Sequence, residues 1–357
     1  VTDIVAELAS WAVAGHRFAV VGVIGVHGSG PRNPGLALAV REDGAVAGSV
    51  SGGCVEAEVY ELAREVLATG VAARRSFGFD PDDPFAAGLT CGGELEVAAW
   101  PADPALAAAV VAAADHVPVA LATVTDGPVR LLGRSVAVFA DHHVGGFGCS
   151  VWEPAAVARA RTMLEEGRTG QAAEVFVQSF AAPPKMLLFG ATDNAAALAH
   201  LGRFLGYHVV VCDARATFTT AERFPDAHEV VVEWPHRYLA RTGTDGRTVV
   251  CVLSHDPKFE IPLLVEALRR PLGFVGALGS RATQADRVRR LRAEGVPEES
   301  LAGLRAPVGL DLGGRTAQET ALSIVAEVVA LRHGGSAVPL GLREGPIHQG
   351  RLSRRLG

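Results

Sequence analysis

From Lys185 onward the chain alternates short β-branched, apolar runs with longer helix-like segments, and this alternation narrows the fold more than any other feature of the sequence. The runs read as strands at Met186 to Phe189, His208 to Cys212, Glu229 to Val232, Thr248 to Leu253 and Gly273 to Leu278. Most are continuously apolar, as strands buried on both faces are. Helices between most of them give the grammar of a doubly wound parallel sheet. The last helix is predicted to start at the capping box Thr316-Ala317-Gln318-Glu319 and to run to about Arg332, with Leu322, Val325, Val328 and Val329 on one face.

At 357 residues the chain is too long for one ordinary domain. Ala181-Ala182-Pro183-Pro184 is the strongest linker signal. The expected class is α/β: an N-terminal mixed α/β domain over 1–150, a helical connector and linker over 151–184, a Rossmann-like doubly wound parallel sheet over 185–335, and a loosely ordered tail over 336–357. In the N-terminal part, a helix from Ile4 to Val13 precedes a strand from Phe18 to Val26. The strands Leu36 to Arg41 and Ala45 to Val50 flank the turn Glu42-Asp43-Gly44. A helix carries Val55, Val59, Leu62 and Val66 on its apolar face, and Gly70 is placed to end it. Further strands are expected at Val117 to Thr125 and Ser135 to Phe139. No internal repeat stands out, although Ser51-Gly52-Gly53-Cys54 and Cys91-Gly92-Gly93 echo each other.

The net charge of −6 supplies no overall field for nucleic acid or an anionic membrane, so an anionic ligand must be held locally. Five cysteines without a C-x-x-C spacing suggest neither a disulfide framework nor a metal site, and fit a reducing, cytoplasmic compartment. No basic segment precedes the first apolar stretch, and the Ala/Val-rich run from Ala105 to Val124 is broken by Asp115, His116 and Pro118. Neither a signal peptide nor a membrane span is expected.

Forty-one glycines direct attention to tight turns. At Ser51-Gly52-Gly53-Cys54 the adjacent glycines can aim successive N–H groups into one concavity, and the following helix adds its dipole. Cys54, placed in the first turn of that helix, would be a stabilised thiolate; the alternative is a small buried thiol behind a turn. Ser29 and Arg32, in Gly28-Ser29-Gly30-Pro31-Arg32, offer a close backbone and a planar fork for phosphate or carboxylate, or form a solvated loop. Cys91, before Gly92 and Gly93, reads as a packing residue or a second reactive thiol.

In the second half, polar residues gather at the strands' carboxyl ends, where open α/β sheets bind ligands. Gly190-Ala191-Thr192-Asp193 half-matches a dinucleotide turn: Thr192 stands where a glycine lets the backbone approach a pyrophosphate, and Asp193 adds negative charge. Asp213 is placed for a ribose. His255 could donate a proton or end a strand, and Gly279, Ser280 and Arg281 form a further phosphate candidate. Arg287, Arg289, Arg290 and Arg292 read as a solvated face.

Gly28-Ser29-Gly30-Pro31-Arg32, Ser51-Gly52-Gly53-Cys54-Val55-Glu56 and Cys91-Gly92-Gly93 together resemble the XdhC/CoxI family of xanthine and carbon monoxide dehydrogenase accessory factors. Ser254-His255-Asp256, Gly276 to Arg281 and Gly309 to Gly314 extend the resemblance over about residues 10 to 335. It implies a maturation factor that binds molybdenum cofactor (molybdopterin), protects it during sulfuration and delivers it to a molybdenum hydroxylase, with a cysteine desulfurase as a further partner and a homodimer as the assembly. Glu56 joins the implied cofactor-binding residues, and Cys54 becomes the sulfur or metal contact. The family's usual Gly-Ala-Gly-His turn is Gly190-Ala191-Thr192-Asp193 here, which counts against nucleotide binding by the second domain. The competing reading is an NAD(P)-binding oxidoreductase built on the C-terminal sheet.

Overall fold

A computed structural model describes residues 2–27, 34–78 and 94–344. The chain divides into two compact units, Val1–Ala182 and Pro183–Gly357.

The first unit runs α1 (Val5–Val13), β1 (Phe18–His27), β2 (Ala37–Arg41), β3 (Val46–Gly48), α2 (Glu56–Thr69), β4 (Ala73–Phe77) and β5 (Glu94–Pro101). It continues with α3 (Pro104–Ala114), β6 (Val119–Val124), β7 (Ser135–Val138), β8 (His143–Gly145), α4 (Glu153–Glu165), β9 (Gly170–Ala172) and β10 (Val175–Phe180). One antiparallel sheet has the order β3-β2-β1-β5-β4 and the other β8-β7-β6-β10-β9. The same helix-and-strand succession thus occurs twice, with the same strand order. The sequence carries only a faint trace of the duplication: Gly48, Glu56, Ala63, Arg64, Leu67 and Gly70 recur at the same spacing as Gly145, Glu153, Ala160, Arg161, Leu164 and Gly167.

Helices α1 and α3 share one core with a face of each sheet, including Leu8, Trp11, Val20, Leu106, Val110 and Phe176. The opposite face of the first sheet packs on α2 through Val59, Leu62 and Val66, and that of the second sheet packs on α4 through Val157, Ala160 and Met163. Asp103 caps α3 by accepting from Leu106 N at 2.8 Å and from Ser135 N at 3.1 Å, so the same carboxylate ties α3 to β7.

Residues 151–184 are not a connector. α4 and β10 complete the second sheet's layer, with β10 paired to β6 from Val175↔Val124 to Phe180↔Val119, and only the prolines after Ala182 separate the units. The apolar face of α4 and the alternation in β10 need that sheet to be buried.

The second unit contains β11 (Lys185–Phe189), α5 (Asp193–Phe204), β12 (His208–Asp213), β13 (Glu229–Val232), α6 (Pro235–Arg241), β14 (Val249–Val252) and α7 (Pro257–Ala267). β15 (Phe274–Ala277), α8 (Arg281–Ala293), α9 (Glu298–Ala302), β16 (Leu304–Arg305) and α10 (Ala317–His333) follow. All pairings are parallel, in the order β13-β12-β11-β14-β15-β16, the doubly wound order with its switch point between β11 and β14. The Thr316 capping box forms, and Gly334 ends α10 at φ 68°. The buried stripe of α10 is Ala321, Ile324, Val325 and Val328; Leu322 and Val329, expected on it, are exposed. Arg287 also departs from expectation: it is 2% exposed, pairs with Glu260 through Nε and donates from Nη2 to Leu278 O at 2.6 Å, holding the β15–α8 turn.

Among the described residues, no helix is long and apolar enough to cross a membrane.

Candidate functional site

Register brings the glycine-bearing segments of the first unit to one end of its first sheet. His27 lies opposite Glu94, Phe77 opposite Leu95, and Gly48 opposite Leu38. Residues 49–55 leave from that end. Ser29, Arg32, Cys91, Gly92 and Gly93 lie outside the described residues, but the strands flanking their segments stop there too.

Gly48 makes the departure possible. Its φ is +82°, and a Cβ would sit 2.2 Å from Ala37 O. Gly52 and Gly53, at φ 83° and 125°, then turn the backbone N–H groups inward. The anion they meet belongs to the chain itself. Glu56 Oε1 accepts from Ser49 Oγ (2.7 Å), Ser51 N (2.9 Å) and Gly52 N (2.8 Å). Its Oε2 accepts from Ser51 Oγ (2.5 Å), Gly53 N (2.8 Å) and Val55 N (3.2 Å). Burial alone would raise the pKa of this carboxyl, but the Ser51 and Ser49 hydroxyls and the Ser51 and Gly52 amides hold it well below the usual carboxylate range.

The expected cradle is therefore present, with Glu56 as its occupant. Cys54 N donates to Ser51 Oγ at 2.9 Å, so every backbone N–H from Ser51 to Val55 has an acceptor within the loop. Helix α2 begins at Glu56 with Val55 as its N-cap, so Cys54 precedes the helix instead of lying in its first turn. Its thiol is exposed, while Ser51 beneath it is buried. What the loop offers a ligand is a sulfur on a fixed backbone.

The carboxyl end of the second unit's sheet gathers Gly190, Asp213, His255, Gly279, Ser280 and Arg281, as the strand order requires. A Cβ on Gly190 would meet Ser254 N at 2.9 Å, so this glycine serves the close passage of two strand ends. Thr192 caps α5 by accepting from Ala195 N at 3.3 Å. Asp213 is 3% exposed and accepts from Ala191 N (2.8 Å), Arg215 N (2.9 Å), Arg215 Nε (3.0 Å) and Arg215 Nη2 (2.7 Å). Burial works to raise its pKa, yet the Arg215 and Ala191 hydrogen bonds prevail and lower it. Both oxygens of this carboxylate are thus engaged by donors of the chain itself. Ser280 caps α8 through Thr283 N at 3.1 Å, leaving Arg281 and His255 exposed. The cavity between Gly190, Asp213, Pro235, Ser254 and Phe259 holds about 10 Å³, the room of one water.

Sequence reasoning placed Glu56 among ligand-binding residues but missed that it is the loop's own anion. It also missed Ser49, whose only signal is its nearness to an acid, and, although Asp213-Ala214-Arg215 stood among the polar residues at the strand ends, it missed the pairing of Arg215 with Asp213.

The XdhC and CoxI family model matches residues 11–78 and 112–176, and the XdhC Rossmann domain model matches residues 186–328. The molybdenum cofactor insertion chaperone PaoD of Escherichia coli is 27% identical over 325 residues, covering 90% of this chain and 85% of PaoD. A Bacillus subtilis protein described as a probable xanthine dehydrogenase component is 24% identical over 320 residues, covering 87% of this chain and 92% of that protein. A crystal structure described as a xanthine dehydrogenase from Bacillus halodurans shares the fold with a TM-score of 0.66 at 23% identity, over 94% of this chain and 98% of that one. With both halves matched in order by the family's own domains, the chain belongs to the XdhC and CoxI family.

Proposed function

We propose that this chain is a maturation factor that binds molybdenum cofactor, protects it while its terminal sulfur is installed, and hands it to a molybdenum hydroxylase. The observation that carries the reading is the exposed Cys54 thiol on a backbone whose donors are already satisfied, at the sheet end where the glycine-bearing segments begin and return. A soft, exposed sulfur suits contact with a molybdenum centre or its sulfur ligand. The relative named as a cofactor insertion chaperone supports the same role. A cysteine desulfurase as sulfur source and self-association of the chain belong to this reading.

The second unit contributes a surface for these partners. An NAD(P) site there is opposed by Asp213, both of whose oxygens are engaged by Ala191 and Arg215, and by Thr192, whose hydroxyl occupies an amide of the α5 N-terminus.

The test mixes purified protein with molybdopterin released from a molybdoenzyme and measures the pterin retained through gel filtration. Wild type is expected to retain it, and Cys54→Ala to bind about tenfold more weakly, the loss of one good contact. Equal retention by both would remove Cys54 from the site, and no retention by wild type would overturn the reading.

A further inference from the structure

The loop carrying Cys54 is built around one carboxylate, and the second copy of the same motif provides a comparison. Glu153 opens α4 as Glu56 opens α2, and it reaches back to accept from Phe147 N at 2.8 Å. The two acids lie equally far beyond Gly48 and Gly145, which leave β3 and β8 at φ +82° and +81°. A glutamate folded back on the preceding loop is thus common to both copies. The residue at the tip differs: Val151, 79% exposed, stands in the second copy where Cys54 stands in the first.

The first copy is also tied far more tightly. Glu153 receives Phe147 N, whereas Glu56 receives the amides of Ser51, Gly52, Gly53 and Val55 and the hydroxyls of Ser49 and Ser51. The Cys54 amide joins this network through Ser51 Oγ. The second copy's loop also carries a cysteine, Cys149, but that residue is half-buried and stands two positions before Val151; the elaboration is confined to the copy with an exposed cysteine at the tip.

We propose that Glu56 is a positioning residue for Cys54. Its carboxylate is the fixed internal anion of residues 49–55 and keeps them in the shape that presents the sulfur, so that a ligand meets the thiol and not the backbone amides. The functional half of this statement rests on the proposed role of Cys54; the structural half does not. A neutral glutamine cannot replace the acid, because its NH2 would face N–H donors.

Full-length wild type, Glu56→Ala, Glu56→Gln and the matched control Glu153→Ala are compared in two measurements. In hydrogen exchange read by peptide mass spectrometry, Glu56→Ala is expected to speed exchange of amides 51–55 by about tenfold or more. Acetate at tens of millimolar, a free carboxylate able to refill the vacated nest, should slow it again, while sodium chloride at equal ionic strength should not. In the molybdopterin retention assay, Glu56→Ala and Glu56→Gln are expected to bind about tenfold more weakly, with acetate partly restoring Glu56→Ala. Glu153→Ala is expected to retain the pterin as wild type does, even if its melting temperature falls as far.

Unchanged exchange at 51–55 in Glu56→Ala, or equal loss of retention in Glu153→Ala, would overturn the proposal. Should Glu56→Ala not fold, the nearly isosteric Glu56→Gln carries the same comparison without the acetate arm. The two readings fail separately: wild-type retention by Cys54→Ala removes the ligand contact, whereas unmoved exchange in Glu56→Ala removes the positioning.

Discussion

At the scale of single residues, burial sorts the cysteines. Burial pushes the Cys212 and Cys251 thiols up to about 12, whereas Cys54 stands exposed. Since the thiolate is the nucleophile, iodoacetamide at neutral pH should label Cys54 in the folded protein and reach Cys212 and Cys251 only after unfolding. Peptide mass spectrometry decides this, and labelling of Cys251 at the rate of Cys54 would contradict the burial. Asp213 yields a pH-dependent prediction. Its folded pKa is lowered, so its bonds to Arg215 and Ala191 stabilise the fold above the ordinary carboxylate value of about 4 and lose that effect as pH falls below it. Asp213→Asn is expected to cost about 1–3 kcal/mol at pH 7, by leaving buried donors without a charged acceptor. Denaturant titrations should show the gap between variant and wild type narrowing towards pH 3. The sequence marked both acids as site residues, but not that each is satisfied by its own chain. Glu56 reaches its donors because Gly52 and Gly53 adopt positive φ, a choice of backbone basin that composition permits without specifying.

At the scale of elements, five of the six parallel strands were legible because each is a mostly apolar run flanked by turns, whereas β16, two residues long and ending in Arg305, gave no such signal. The duplication in the first unit was not legible. Strands β3, β8 and β9 are three residues each, too short for alternation to register, and the residues the copies share are single positions scattered among differing ones. Within 151–184 only β9 is that short; β10, six residues long, declares itself a sheet strand only through its pairing with β6, and so the segment reads as a connector in the sequence. Two glycines test how far local geometry limits the first copy. Gly70 ends α2 at φ +70°, with no atom of the described residues within 4 Å of where a Cβ would sit, whereas Gly48, at φ +82°, would drive a Cβ into Ala37 O. Both alanine variants face the backbone cost of about 1–3 kcal/mol. Gly48→Ala adds a clash with the β2 backbone, so it should lose clearly more stability than Gly70→Ala in denaturant titrations. Equal losses would mean that the β2–β3 hairpin yields freely.

At the scale of the molecule, each unit buries its own core. Leu8 and Val59 belong to clusters drawn only from the first unit, and Leu198 and Leu264 to clusters drawn only from the second. Folding stability should therefore be held separately in the two. Leu8→Ala and Leu198→Ala each remove a fully buried side chain and should cost about 2–5 kcal/mol. Calorimetry of the full chain is expected to show two transitions, with Leu8→Ala lowering one and Leu198→Ala the other. A single transition lowered by both would mean that the units unfold together. The same separation bears on function. If residues 49–55 supply the decisive contact, a fragment of residues 1–182 should retain molybdopterin nearly as well as the full chain, and a fragment starting at Pro183 should not. Retention by the full chain alone, with both fragments folded by circular dichroism, would show that the cofactor draws on both units and that the exposed thiol is only part of its site.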